Sequence, residues 1–410
     1  VVNVVKTYVE KVTNELYLLR VDDEKTRYFE ALWEIPEGIT YNSYVLVDSK
    51  VVLFDSWKNI YTDKFIETLR KVVDPKDIDY IVIHHTEPDH SGAIPRVLEL
   101  NGNRAEVWGH PLARSMLESF YGITVKFRSL KDGEEIQVGN KKLKFVFTPW
   151  LHWPDTIITL IVDDSVLLTC DPFGGFSIPT TIFDDDEEVV NNYMKYVSKY
   201  VITIVGNYRD YIIKAVDKLK SLNITPKIIA PAHGLIFKNR PDSIINHYIK
   251  LAKGTPQKNK VIVLYSSMYG FVEKAVKIAI NELAIQGIRP LVFKFTDVER
   301  SDIGEVVSEI NNADAVIIGT ATYEADVFPY MNYILDILTK KVKLAKPVLI
   351  LTSCGWGPVA GARASEKLKK AGYRVIDVID FRGQPKGSDI DRIRNGVRLL
   401  IKDMETESNH

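Results

Sequence analysis

The chain has 410 residues, of which 46% are hydrophobic and 26% charged, and a formal net charge of −1. That length makes two domains the natural expectation. Near-neutral charge gives no reason to expect nucleic acid as a partner, and no apolar run reaches the roughly 18 to 20 residues needed to span a bilayer. Two cysteines far apart, Cys170 and Cys354, exclude a disulfide framework and a thiolate-held iron–sulfur centre or rubredoxin module on this chain; they suit a reducing cytoplasm. Val1 to Glu10 carries no apolar signal-peptide core.

In chain order, the first half opens with short strand-like runs at Glu15 to Arg20, Ser43 to Val47 and Val51 to Phe54, then a helix near Tyr61 to Val72. A buried strand, Tyr80 to Ile83, leads into an irregular segment. Ala105 to Trp108, a helix near Pro111 to Tyr121, and strands Lys142 to Phe147, Ile157 to Val162 and Val166 to Thr169 follow. Helical patterns then cover Glu187 to Tyr200 and Asp210 to Leu222. Strands first and helices later predict an α/β sandwich of two mixed sheets covered by helices. A polar stretch with Gly and Pro, Lys253 to Lys260, reads as a linker, so the domains are expected at 1–253 and 260–403. Beyond it, apolar β-branched strands alternate with helices: strand Val261 to Tyr265, helix Phe271 to Gln286, strand Leu291 to Phe295, helix Ile303 to Asn312 and strand Ala315 to Ile318. Strand Val348 to Leu351, helix Ala360 to Ala371, strand Val375 to Val378 and helix Ile390 to Lys402 complete the pattern. This alternation predicts a doubly wound parallel sheet of five strands, with any ligand at the strands' carboxyl ends.

Four potential metal ligands fall within six positions, His85-Thr86-Glu87-Pro88-Asp89-His90. Pro88 disfavours helical geometry at Glu87, so the segment is expected to be irregular and its side chains free to converge; Ser91-Gly92-Ala93 resembles a helix start. Burying so many ionisable groups together is costly without a counter-charge. His152, Asp171 and His233 each sit in a loop just after a strand, where a sandwich can bring them to the same edge. Taken singly, each is better read as an ordinary hydrogen-bonded loop residue. Asp171 has two oxygens and could bridge two metals. The other histidines, His84, His110, His247 and His410, read as non-ligands; alternation points His84 away from His85.

Three strand-end loops of the second half share another chemistry. Ser267-Met268-Tyr269-Gly270-Phe271-Val272 lies between a strand and a helix, where backbone N–H groups and the helix start favour a phosphate. Ala321-Thr322-Tyr323-Glu324 and Ser353-Cys354-Gly355-Trp356-Gly357 combine small residues with an aromatic face. One such loop is weak evidence, and ordinary packing explains a single aromatic. Three on one sheet favour flavin mononucleotide (FMN).

With these motifs in order, the whole chain resembles the flavodiiron proteins (A-type flavoproteins): a metallo-β-lactamase-like αββα domain fused to a flavodoxin-like domain. The H-x-E-x-D-H signature corresponds to His85, Glu87, Asp89 and His90. The resemblance implies two irons per chain, one held by His85, Glu87 and His152 and the other by Asp89, His90 and His233, with Asp171 bridging. Glu87 stands where a zinc hydrolase of the metallo-β-lactamase type carries a second histidine, and the harder, oxygen-rich set favours iron. The flavin loops depart from common family patterns at Val272, Glu324-Ala325 and Cys354. Losing one hydrogen bond to phosphate at Val272 would cost on the order of 1.5–3 kcal/mol unless replaced. Cys354 could be reactive beside a flavin; a small residue filling space is the simpler reading.

The resemblance implies an oxidoreductase that takes electrons from an external donor through FMN to the diiron site. The donor would be a rubredoxin, a flavin reductase or a reduced deazaflavin. The site would reduce O2 to water, NO to N2O, or both, with Glu87, Asp171 and Tyr193 as catalytic side chains. Trp150, Trp153 and Tyr193 are expected around a dry site, with packing as the alternative role. The resemblance also implies a head-to-tail homodimer or a dimer of dimers. The rivals are a dinuclear zinc hydrolase with an appended flavodoxin domain and a non-enzymatic electron carrier.

Overall fold

The computed structural model describes residues 5–407; His410 lies outside the described residues. Two compact units divide the chain, one ending at Ala252 and the other starting at Lys253.

The first unit is built on two sheets. One runs Thr7–Lys11, Leu16–Asp23, Ile39–Val47, Val51–Phe54, Tyr80–Ile83, Glu106–Gly109, Phe127–Ser129 in spatial order. Its first four strands are antiparallel and the rest join in parallel. The other sheet runs Glu135–Val138, Lys141–Phe147, Ile157–Ile161, Val166–Cys170, Ile228–Pro231, and only its last pair is parallel. Alternating apolar side chains from the two inner faces, among them Leu46, Phe54 and Val82 against Phe145, Ile161 and Leu168, form one buried core. On the outer face of the second sheet, Leu219 and Ile224 pack with Val146, Ile158 and Leu167.

The segment after Tyr80–Ile83 differs from expectation. Glu87 is extended (φ −54°, ψ 137°), as Pro88 demands, but Pro88–Ser91 closes a helical turn. Proline is tolerated in the first turn because its missing N–H would have no partner there. Helix Ile94–Asn101 begins only after Ala93.

In the second unit, strands Leu291–Thr296, Val261–Ser267, Ala315–Tyr323, Pro347–Cys354 and Arg374–Arg382 lie side by side in that order. All are parallel. The short strand Asp326–Val327 adds one antiparallel pairing. Helix Pro329–Lys341, unread from sequence, covers the step between the third and fourth strands of the chain order. Stretch 254–260 is fastened to this unit: Gln257 N donates to Asn312 O, Asn259 N to an Asp314 carboxylate oxygen, and Lys346 Nζ to Gly254 O.

Gly319 sets the spacing between the sheet and helix Phe271–Ile285. A Cβ there would lie 2.8 Å from both Tyr265 Cβ and Val272 Cγ1. Gly319→Ala is therefore expected to destabilise the second unit by about 1–3 kcal/mol through overpacking, seen as a lower urea midpoint for that unit. Adding Val272→Ala should recover part of the loss.

Candidate functional site

Strand ends deliver the metal-binding side chains to one edge of the sandwich. His85 follows Tyr80–Ile83, the next helical turn carries Asp89 and His90, Asp171 follows Val166–Cys170, and His233 follows Ile228–Pro231. His152 arrives from the loop after Lys141–Phe147. Ligand atoms of His85, Glu87, His152 and Asp171 lie within 4.8 Å of one another, as do those of Asp89, His90 and His233.

Asp171 joins the two groups. Its Oδ2 lies 3.3 Å from His85 Nε2 and 3.2 Å from His152 Nε2. Its Oδ1 lies 2.9 Å from His90 Nε2 and 3.2 Å from His233 Nε2. Glu87 Oε2 is 2.8 Å from His152 Nε2 and 3.3 Å from His85 Nε2, whereas Asp89 faces His90 at 3.3 Å and His233 at 3.6 Å. His90 thus enters the cluster despite its adjacency to Asp89, because the helical turn swings both side chains inward.

The cluster is buried, Glu87 being the most accessible member with 12% of its side chain exposed. Both oxygens of Asp89 and of Asp171, both ring nitrogens of His90 and His233 Nε2 have no hydrogen-bond partner of good geometry. Each such orphan costs about 1–3 kcal/mol, so the arrangement calls for cations between the carboxylates and the imidazoles. Its electrostatics agree. Burial would raise the Glu87 carboxyl, but the hydrogen bonds from His152 and His85 outweigh it and bring it to about 2. Burial would lower His90, yet the charges of Asp89 and Asp171 push it up to about 10. The carboxylates and open imidazole nitrogens fit a pair of bound metal ions.

Contacts behind the cluster orient it. His233 Nδ1 donates to Thr40 O at 2.7 Å, which leaves Nε2 aimed at Asp171. His85 Nδ1 lies 3.3 Å from Cys170 Sγ. The buried Cys170 thiol is pushed well up by burial and by the Asp55 and Asp171 carboxylates. His84 turns away from the cluster, with Nδ1 2.5 Å from Asp55 Oδ2 and Nε2 2.9 Å from Thr159 Oγ1. Cys170 and Asp55 were unread from sequence; the one available signal for Cys170 was its place beside Asp171 on a strand end. Tyr193 does not reach the carboxylates: its hydroxyl donates to His233 O at 3.3 Å, so it buttresses the His233 loop. Trp153 lies near His85, with ring centroids 5.8 Å apart, while Trp150 stacks on Tyr208 instead.

At the carboxyl ends of the second unit's strands lies a cavity of about 510 Å3. Of the expected flavin residues, Ser267, Met268, Tyr269, Phe271, Val272, Ala321, Thr322, Tyr323, Glu324, Ser353, Cys354, Gly355 and Trp356 line it; Gly270 and Gly357 do not, and Gly383 joins. Gly270 (φ +79°) caps the helix start, and its N–H donates to Ser267 Oγ. Tyr269 and Trp356 stand 81% and 90% exposed at the rim, ready to cover a flat ring. The Thr322 hydroxyl is engaged, accepting from Val359 N and Ala360 N. Val272 is buried and packs in the core. The Cys354 thiol is raised by burial and by Asp380, and donates to Phe381 O, which supports the space-filling reading over a reactive one. The volume and aromatic rim fit FMN.

Comparison with known proteins matches both units. Residues 39–234 match the ODP family beta lactamase and residues 254–385 the NADPH-dependent FMN reductase family. A nitric oxide reductase of Moorella thermoacetica is 32% identical over 93% of this chain and 95% of its own. The chain belongs to the flavodiiron family. A flavoprotein of Thermotoga maritima is 43% identical at a TM-score of 0.93, covering 98% of this chain and 100% of that one. The rubredoxin oxygen:oxidoreductase of Desulfovibrio gigas is 26% identical with the same TM-score of 0.93, and the coverage is again 98% and 100%. As a flavodiiron protein this chain is an oxidoreductase whose cofactors are FMN and a non-haem iron pair.

Gly234 (φ +79°) leaves no room for a side chain: a Cβ would sit 1.8 Å from the Tyr193 oxygen. Gly234→Ala is expected to displace His233 and weaken iron binding about 10-fold or more. Tyr193→Phe should retain iron. Metal analysis of both variants, purified anaerobically, checks the contrast.

Proposed function

We propose that the chain is a flavodiiron reductase that passes electrons from an external donor through FMN to its iron pair and reduces O2 to water, NO to N2O, or both. The observation that carries this reading is the division of Asp171 between two clusters, Oδ2 toward His85 and His152 and Oδ1 toward His90 and His233. On this assignment His85, Glu87 and His152 would hold one iron and Asp89, His90 and His233 the other, and Asp171 would be shared between them. The three loops of the 260–403 domain would hold FMN, which would supply one-electron transfer, and the cluster would hold the iron pair, which would supply the redox centre for the gas.

This chain's residues do the rest. Three carboxylates and four imidazoles form a harder donor set than a hydrolytic zinc site prefers, and anionic oxygen stabilises the ferric state. Glu87, ionised at neutral pH, faces the accessible side and orients His85 and His152. His233 is locked by Thr40 O, so its Nε2 keeps a free lone pair. The buried wall limits water around the reacting centre, which strengthens every electrostatic contact there. The names of the relatives, a nitric oxide reductase and a rubredoxin-oxygen oxidoreductase, support gas reduction over zinc hydrolysis and over simple electron carriage. They also favour a rubredoxin as donor, with a flavin reductase or a reduced deazaflavin as alternatives. Two free cysteines support a reducing, cytoplasmic setting. A head-to-tail homodimer, or a dimer of dimers, would place the FMN of one chain against the iron of another.

Protein purified without added metal should hold about two irons per chain, the loading of a dinuclear carboxylate site; zinc in that amount and no iron would refute the assignment. Anaerobically reduced enzyme mixed with O2 or NO should reoxidise its FMN rapidly, and Asp171→Ala should abolish this while retaining FMN. A normal rate in that variant would remove the diiron mechanism. Gel filtration of the active protein should show dimers or tetramers.

A further inference from the structure

A second cavity lies inside the first unit. Leu151, Ile158, Phe173, Val205, Ala215 and Tyr248 are among its walls, and every lining residue is buried. The centre of a water-sized sphere has about 10 Å3 to move in, room for one very small molecule. The wall presents almost no hydrogen-bonding capacity. The Tyr248 hydroxyl is committed to Gly174 O at 2.7 Å. Thr148 Oγ1, in a residue 4% exposed, has no hydrogen-bond partner. A buried water needs two to four polar partners, and one unengaged hydroxyl does not supply them. The cavity therefore suits a neutral, weakly accepting guest better than water.

Its position is equally specific. Pro172 and Phe173 directly follow Asp171, and Leu151 directly precedes His152, so two loops that feed the metal cluster also wall the cavity. Val205 closes a π-helical turn, Val201–Val205, whose five residues are all buried. Such turns are rare and frequently mark functional sites. Phe173 holds φ +70°, an uncommon conformation for a bulky residue, and its ring lies 5.1 Å from that of Tyr248. Ala215, from helix Asp210–Ser221, leaves the gap open where a larger side chain would fill it.

We propose that this cavity is a holding site for a neutral diatomic gas, O2 or NO, beside the diiron centre; the inference rests on the reductase reading above. A gas molecule held there would be desolvated and would touch Leu151 and Pro172, the chain neighbours of His152 and Asp171. The site would raise the local gas concentration without altering the chemical step.

Xenon, an apolar probe of similar size, tests the cavity independently of turnover. Crystals of the holoenzyme pressurised with xenon should show a bound atom among Leu151, Ile158, Phe173 and Ala215. Ala215→Val, with unchanged iron and FMN content, should lose that atom. Its kcat/KM for O2 or NO should fall several-fold while kcat at saturating gas is kept. Absence of xenon from the wild-type cavity would overturn the proposal, and this arm decides alone if the variant misfolds. So would an unchanged kcat/KM for both gases in a variant whose own structure shows the cavity filled. Xenon bound in a wild-type protein that reduces neither gas would leave the cavity assignment standing and overturn the reductase reading instead.

Discussion

The first unit's architecture converges on one carboxylate. Asp171 stands at the end of a central strand, nearly inaccessible to solvent, with a pair of imidazole nitrogens facing each of its oxygens. An anion so placed is tolerable only if positive charge surrounds it on both sides. That requirement explains why four separate segments end at the same edge. Two histidine–carboxylate groups that share no other acid become one site through this residue.

The polar layer behind the cluster keeps that geometry fixed. Thr40 O holds His233 and Cys170 backs His85, while Asp55 and His84 pair just beneath. Asp55 and Cys170 both adopt positive φ, at 56° each. Non-glycine residues in that region carry strain that the surrounding structure must over-determine, and here the two sheets supply the constraint. The strain buys side-chain direction: a strand that ended conventionally at Cys170 would aim Asp171 elsewhere.

Much of this was legible in the sequence because it is written in local terms. Strand Tyr80–Ile83 and the doubly wound alternation follow from apolar periodicity, and the density of ligands between His85 and His90 has no cheap bland explanation. What escaped was set by distant contacts. The turn at Pro88–Ser91 forms because proline suits a first helical turn, an effect opposite to its influence on Glu87. Tyr193 looked like a site residue, yet its hydroxyl is captured by a backbone carbonyl forty positions away. Cys170 and Asp55 act only across the fold, and a single sequence offers no pattern linking them to His85 or His84. Helix Pro329–Lys341 was missed because its proline start and its aromatic residues blur the helical pattern.

In the flavin loop, Val272 gives up a hydroxyl to serve the core, and Gly319 opposite it keeps the helix close to the sheet. A phosphate bound there would meet main-chain N–H groups at the helix start. A cradle made of backbone is largely mute to side-chain identity. The left-handed Gly270 sets the turn of that cradle, and the exposed side chains beside it, Tyr269 and Phe271, do not shape it. On that reading a change at Gly270 would disturb a phosphate through the backbone, whereas a change at Tyr269, on the cavity rim, would be felt at the ring.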